Sequence, residues 1–320
     1  MAQRIADSGF ANWTPDRLPD LTGKRYLITG GNAGLGFEAA KMLATENADI
    51  VIASRNTEKA RTAIAELDKL GAGTIGAVAL DLSSMENVRR AAEDIRGRYE
   101  GGFDAVINNA GVMQTPETRT ADGFELQLAT NHLGHFLLNG LLFDLVEKRR
   151  GRIVAVSSIA HKPGQIWLDD LMLTKNYNPS RAYCQSKLAN LMYALELDRR
   201  LKAAGSKVTA YACHPGYAAT ALQSTGPRGL LNMVYKVFNP LFAQSATAGA
   251  VPLVLAAAGT EAVPGAYYGP TGPGDARGKV SDSVVTDAAL DEKVARGLWE
   301  QSEKLVGFDW STVLPAHARA

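Results

Sequence analysis

Short apolar runs alternate along the chain with longer stretches whose apolar positions recur every three or four residues. The runs at 24–29, 49–53, 74–80, 103–107, 152–157 and 207–213 are rich in Val, Ile and Ala and read as strands. The stretches at 34–47, 57–70, 85–99, 131–149 and 181–204 read as helices. Strand and helix in regular alternation predict successive βαβ units. Strands with near-continuous apolar content suit a parallel sheet covered by helices on both faces. The expected fold is therefore α/β, a doubly wound parallel sheet that binds ligands beyond the C-terminal ends of its strands.

Four stretches depart from the alternation. Residues 1–20 form a polar, proline-bearing leader without the apolar segment of a secretion signal. Residues 222–244 mix Gly226, Pro227, Gly229 and Pro240 with Leu222, Met233, Tyr235 and Phe238, and are expected to form a lid insertion over the sheet edge. A Gly/Pro-rich segment at 263–279 precedes a C-terminal helix expected to end near Val306. The apolar stretch at 251–258 is too short to span a bilayer, so no integral membrane segment is expected. With no composition break, residues 21–320 are expected to fold as one catalytic domain with a lid and a C-terminal extension.

The chain has 320 residues, 46% of them hydrophobic, enough for a sizeable core. Its 34 basic and 33 acidic residues leave a net charge of +1, which argues against nucleic acid as a partner. Cys184 and Cys213, its two cysteines, lie too far apart to suggest a disulfide scaffold, and a reducing, cytoplasmic setting is expected. No three of His132, His135, His161 and His214 share a metal-like spacing, so no metal is expected.

The first strand runs into Thr29-Gly30-Gly31-Asn32-Ala33-Gly34-Leu35-Gly36, a TGxxxGxG turn between strand and helix. Gly30 permits the tight turn, Gly34 lets the backbone approach a pyrophosphate, and Gly36 brings the helix close to the sheet. The helix N-terminus offers free N–H groups to the phosphates. This is a Rossmann-type dinucleotide signature. An NAD site usually ends its second strand in an acid. Here Ser54-Arg55 stands instead, and Arg55 can make charge-assisted bonds to a 2′-phosphate, which predicts NADP(H). The alternative for Arg55 is a solvated helix-start residue. Asp81-Leu82 follows the third strand; Asp81 either contacts the adenine edge or belongs to a helix N-cap region shared with Ser83 and Ser84. Asn108-Asn109-Ala110-Gly111 ends the fourth strand, where small residues pass a cofactor and Asn side chains can tie strand ends.

Tyr183 and Lys187 are four apart on one helix face. A phenol with a reference pKa of about 10 is a poor base at neutral pH, and a neighbouring ammonium lowers that pKa. The pair suits proton exchange with a carbonyl or alcohol. Cys184 faces away from it and is expected to pack. Taken singly, YxxxK is an ordinary helix pair.

The glycine turn, NNAG, Asn131, Ser157-Ser158, YxxxK and His214-Pro215-Gly216 occur in one order, and together they resemble the short-chain dehydrogenase/reductase family over about residues 20–260. Asn131-His132-Leu133-Gly134-His135-Phe136, Val156-Ser157-Ser158-Ile159-Ala160-His161 and Ala182-Tyr183-Cys184-Gln185-Ser186-Lys187 resemble its retinol dehydrogenase-like branch, with similarity also to WW-domain oxidoreductase and protochlorophyllide reductase-like members. The resemblance implies Tyr183 as acid/base, with Lys187 on the nicotinamide ribose. It implies Ser158 on the substrate oxygen, in preference to Ser157, and Asn131 at a helix irregularity in the proton relay. Pro215, Gly216 and Thr220 would line the nicotinamide side. The spacing of 25 residues between Ser158 and Tyr183 requires an insertion beside the site.

Leu222, Met233 and Phe238 in the lid, with Trp167, Tyr217 and Tyr267 as further walls, suggest an apolar or aromatic carbonyl/alcohol substrate; the lid residues could equally form a dimer contact or core. The basic run at 148–152 reads as a solvated helix end. The expected function is NADP(H)-dependent hydride transfer to or from a carbonyl/alcohol, in a protein that could form a homo-oligomer. Alternatives are reduction of an activated C=C bond and a non-catalytic NADP(H)-sensing protein.

Overall fold

The computed structural model describes residues 3–71, 73–217 and 244–314. Eight strands form the central sheet: β2 (Arg25–Thr29), β3 (Asp49–Ser54), β4 (Ile75–Ala79), β5 (Ala105–Asn108), β6 (Arg152–Val156), β7 (Thr209–Cys213), β8 (Tyr267–Pro270) and β9 (Val280–Asp282). Their order is β4-β3-β2-β5-β6-β7-β8-β9, and every pairing is parallel except β8 with β9. The expected doubly wound sheet is thus present, with one correction: its last edge is antiparallel. Order reverses between β2 and β5, which opens the crevice where such sheets bind ligands.

Helices α1 (Gly34–Thr45), α2 (Thr57–Leu67), α3 (Met85–Arg98), α4 (Leu126–Leu128), α5 (Gly134–Leu141), α6 (Phe143–Glu147) and α7 (Pro179–Ala203) follow in chain order, and then α8 (Ala246–Ala258) and α9 (Glu292–Val306). Two apolar cores result. One joins the sheet to α1, α2 and α8, the other to α3, α5, α7 and α9. The stretch 251–258 belongs to α8, a largely buried helix packed on α1. Among the described residues, no helix is long and apolar enough to cross a membrane. α9 ends at Val306 because Gly307 adopts φ +59, the left-handed stop that glycine takes without steric penalty.

The leader is part of the fold. Gln3–Arg4 (β1) pairs antiparallel with Val284–Val285 (β10). Ser8 donates its backbone N–H and its hydroxyl to Asp282 at 2.8 and 2.9 Å. Trp13 is fully buried; its backbone N–H donates to the Val280 carbonyl at 2.8 Å and its indole N–H to Glu261 at 3.1 Å. These contacts cover β9, an edge that would otherwise present unpaired backbone groups. The basic run stands at the end of α6, where Lys148 and Arg150 are exposed, and it also ties neighbouring loops together. Arg149 donates to the Gly23 and Gly101 carbonyls and to Asp104, Arg152 to the carbonyls of Ala256 and Gly259, and Lys148 to that of Glu100.

Candidate active site

The loops at the C-terminal ends of β2 to β7 gather the expected residues. Gly30 adopts φ +67, and a Cβ there would lie 3.1 Å from Ala110 Cα. A Cβ on Gly36 would lie 2.5 Å from Asn109 Nδ2 and 2.6 Å from the Gly30 carbonyl, so only glycine lets α1 sit this close to the turn. Gly34 opens α1 at φ +56 with open space above it. Ala33, the N-cap, supplies no side-chain bond, which leaves the helix N–H groups to an external acceptor. Leu35 is buried beneath.

An open cleft runs from the turn past β3 and β4. Gly30, Ser54, Arg55, Asp81, Leu82, Ala110 and Gly111 line it, as do Ala53, Leu80, Val112 and Thr130, which the sequence reading missed. Ser54 donates its hydroxyl to Asn32 Oδ1 at 2.8 Å and so ties the end of β3 to the glycine turn. Arg55 has no ion pair among the described residues. Asp81 accepts from the backbone N–H and hydroxyl of Ser83, at 3.0 and 2.6 Å, whereas Ser84 caps α3.

Thr29 is the hub of the NNAG turn. Its Oγ1 accepts from the backbone N–H of Asn109 and Ala110, each at 3.0 Å, and meets His135 Nε2 at 2.9 Å. His135 Nδ1 donates to the Asn131 carbonyl at 3.0 Å, which sets its tautomer. Asn109 Nδ2 donates to the Thr29 carbonyl at 2.8 Å. No motif pointed to Thr29 or His135 in these roles; the signal was only the polar residue at the end of an apolar strand.

Asn131 sits in a π-helical turn, Ala129–Leu133, the irregularity the resemblance implied. Its side chain clamps Val112, accepting from the N–H at 2.8 Å and donating to the carbonyl at 2.9 Å. It also donates to Ser186 Oγ at 2.9 Å, and Ser186 donates to the Tyr183 carbonyl at 2.8 Å. The π-turn is thus stitched to the YxxxK turn of α7. A Cβ on Gly111 would lie 3.0 Å from Asn131 Oδ1 and 3.7 Å from Lys187 Nζ, so glycine is needed where the three meet.

Lys187 is buried and donates to the Val156 carbonyl at 3.1 Å. Its Nζ lies 5.8 Å from the centre of the half-buried Tyr183 ring. Burial lowers its pKa to about 8. The two serines differ sharply. Ser157 is buried and donates to the Lys187 carbonyl at 2.7 Å. Ser158 accepts from the Ala160 N–H at 3.2 Å, and among the described residues nothing takes its hydroxyl proton.

The insertion between Ser158 and Tyr183 packs against the domain through Ile166, Leu171 and Leu173. Trp167 donates its backbone N–H to Gln185 Oε1 at 3.2 Å, and the Arg181 guanidinium lies 5.2 Å over its ring. Tyr267 is not a wall: it lies fully buried on β8, beneath the serine loop. Cys184 is half-buried. Tyr217 donates its N–H to the Ala276 carbonyl and accepts from the Gln244 N–H at 2.9 Å; Gln244 also donates to the Pro215 carbonyl. Gly216 follows at φ +67. Thr220, Leu222, Met233 and Phe238 lie outside the described residues. Among those described, no group of three His, Cys, Asp or Glu could hold a metal.

The buried imidazoles carry a stability consequence. Burial depresses the pKa of His132, His135 and His214 to about 3, 4 and 3. Below about pH 6.5 the unfolded chain takes up protons that the folded one refuses, so stability falls as pH falls, by roughly 1.4 kcal/mol per pH unit per histidine down to about pH 4. Urea midpoints are expected to hold between pH 8 and 7 and to drop steeply between pH 6 and 5; a flat profile there would contradict the neutral, buried assignment.

The short chain dehydrogenase family model matches residues 24–229. Retinol dehydrogenase 13 of Homo sapiens is 39% identical over 305 residues, covering 92% of this chain and 87% of the relative. Retinol dehydrogenase 12 of Bos taurus is 39% identical over 293 residues, covering 91% and 88%. A solved structure of an uncharacterised protein from Mycobacterium Paratuberculosis is 36% identical, with a TM-score of 0.77 over 94% of this chain and 99% of that one. A short chain dehydrogenase from Burkholderia cenocepacia J2315, solved in complex with NADP, shares the fold at 23% identity and a TM-score of 0.60 over 78% and 96%. On the family match, these identities and the site geometry, the chain belongs to the short-chain dehydrogenase family, in its retinol dehydrogenase-like branch.

Proposed function

We propose that the protein is an NADP(H)-dependent oxidoreductase acting on an apolar carbonyl/alcohol pair, with Tyr183 as its acid/base. The observation that carries this reading is the convergence of Tyr183, Lys187 and Asn131 on Gly111, which itself lines the cleft with Gly30. The cleft suits a dinucleotide: glycines stand where a Cβ would collide, and the start of α1, without a side-chain cap, would offer its N–H groups to a phosphate. A nicotinamide cofactor, when bound there, supplies the hydride chemistry.

The chain's own residues supply position and protons. The Ser158 hydroxyl, whose proton no described residue takes, donates to the substrate oxygen. Tyr183 gives its proton to that oxygen as negative charge develops there, and takes it back in the oxidative direction. The Lys187 ammonium, charged below about pH 8, stabilises the phenolate left behind. Asn131 keeps Val112 and the YxxxK turn in register around that proton path. The similarity to retinol dehydrogenases supports retinoid-sized, apolar substrates.

The experiment follows NADPH absorbance at 340 nm with a panel of retinal, aromatic ketones, aldehydes, quinones and enones, and NADH in parallel. Oxidation of NADPH with a carbonyl supports the reading; tight NADPH binding with no turnover on any of them contradicts it and favours a sensing role. Arg55 supports NADPH over NADH: it stands beside Ser54 in the cleft, and its guanidinium has no ion pair among the described residues. Ser54→Asp with Arg55→Ala is expected to move the NADPH/NADH ratio of kcat/KM toward NADH by at least about tenfold, the scale of one charge-assisted bond. An unmoved ratio would contradict the NADP(H) assignment.

A further inference from the structure

Beneath the serine loop lies a buried column of polar rings that the proton chemistry above leaves unused. His161 closes the short helix Ile159–His161, whose N-cap is Ser158. Its Nδ1 lies 2.7 Å from the Ser158 carbonyl. A carbonyl only accepts, so Nδ1 carries the hydrogen. The His161 backbone N–H reaches the same oxygen at 3.0 Å, and both of its lone pairs are engaged. Ser158 is thereby held from two sides, its carbonyl by His161 and its hydroxyl by the Ala160 N–H.

The imidazole is itself held. The Tyr267 hydroxyl lies 3.2 Å from His161 Nδ1, with the two rings edge to face, their centres 5.4 Å apart at 90°. Nearby, Ser157 donates its own hydroxyl proton to the Lys187 carbonyl at 2.7 Å. On its other side the Tyr267 ring lies 5.1 Å from His214. His214 Nδ1 accepts the Gly216 N–H at 3.1 Å, and its Nε2 meets Ser283 Oγ at 2.8 Å. Outside the column, Lys162 and Asp275 form a 2.7 Å ion pair. His161, Tyr267 and His214 are each about 1% exposed, and burial keeps His161 neutral.

Packing alone does not account for an imidazole here. His161 Nε2 is buried and, among the described residues, has no hydrogen-bond partner. An apolar side chain of similar size would avoid that unpaired acceptor. What an apolar side chain could not provide is the Nδ1–H bond to the residue that carries the substrate-facing hydroxyl.

We propose that His161, backed by the Tyr267 hydroxyl, is a positioning residue that fixes the Ser158 peptide and so aims the Ser158 hydroxyl at the substrate oxygen. This rests on the carbonyl-reductase reading. The positioning acts through Ser158 and not through the cofactor, so its loss shows in turnover and leaves NADPH affinity alone.

The test is a double-mutant cycle in the full chain, with NADPH and retinal as probes. His161→Leu is expected to lower kcat about tenfold, the scale of one buried hydrogen bond, with NADPH affinity by fluorescence within twofold. In a Ser158→Ala background the same substitution is expected to cause no further loss. His161→Asn, whose amide can present an N–H near the Nδ1 position, is expected to recover most of the rate. Additive losses in the two backgrounds, or an unchanged kcat in His161→Leu, would overturn the proposal. Should His161→Leu fail to fold, Tyr267→Phe keeps the ring and removes the hydroxyl; it is expected to lower kcat several-fold in the wild-type background alone, and additive losses again overturn the proposal. A wild-type protein inert toward every carbonyl overturns the reductase reading itself, and the positioning claim is then judged by nitrogen NMR of the His161 ring. An Nδ1–H tautomer protected from exchange supports it; an Nε2–H tautomer overturns it.

Discussion

Tyr183→Phe is expected to lower turnover by about 100- to 10,000-fold while leaving NADPH affinity within about twofold, the range for removing a positioned general acid. Only the phenolic oxygen is lost. The ring keeps its place one turn before Lys187, and the Tyr183 carbonyl keeps its bond from Ser186, so the stitched turn of α7 survives. Stopped-flow reduction and cofactor fluorescence on the same preparation separate the two effects. An active Phe variant would remove Tyr183 from the mechanism, and a variant that no longer binds NADPH would assign it to the cofactor site instead.

Lys187→Met is expected to abolish most turnover and yet to raise stability. Lys187 is buried with its pKa lowered from 10.5 to about 8, so at neutral pH the fold holds a charge that the unfolded chain hydrates better. The difference is about 3 kcal/mol against folding. That penalty fades as pH rises from about 8 to about 10.5, where the unfolded chain binds the proton and the folded one does not, and stability from this group rises across that window. Methionine fills similar volume without the charge. The Val156 carbonyl is not orphaned, because Asn190 Nδ2 also donates to it at 3.1 Å. Urea unfolding at pH 7 is therefore expected to show a gain of about 2 kcal/mol, and the gain is expected to shrink at pH 10. A destabilised Met variant would mean that the ammonium's hydrogen bond outweighs its desolvation. The residue that the proton chemistry needs is thus one that the fold tolerates at a loss.

Much of this architecture was legible because its determinants are local. Period and composition mark β2 to β7, α1 to α3 and α7 within a few residues, since each buries a stripe or both faces in a parallel sheet; α5 and α6 read as one helix over 131–149, and the single turn of α4 carried no period to read. The glycine turn was legible because Gly30 and Gly36 occupy positions where any side chain collides. What escaped depends on distant partners. β8 and β9 are short and β8 carries Gly269 and Pro270, so nothing nearby marks them as strands; β9 is defined by pairing with β8 and by the leader that covers it. The leader looked like a tail because Trp13 finds its cover 267 residues on, at Val280. α8 carries Pro252 and is apolar on most sides, which hides its period.

The site divides the same way. Tyr183, Lys187, Asn131 and the serine pair carry spacing that points to chemistry. Thr29, Gln185 and Tyr267 act through backbone groups and rings brought together by the fold, and their letters alone do not announce it. The choice of Ser158 over Ser157 rested on motif position; the bond from Ser157 Oγ to the Lys187 carbonyl supplies the physical reason, since that hydroxyl is already committed.

The central claim is that hydride passes to a carbonyl carbon while Tyr183 supplies the proton to its oxygen. The most direct measurement uses NADPH deuterated at nicotinamide C4, with retinal as substrate and mass spectrometry of the product. The account predicts one deuterium on the carbinol carbon, absent from the Tyr183→Phe reaction over the same time. Deuterium on a former C=C carbon, or a product formed equally by the Phe variant, would contradict it.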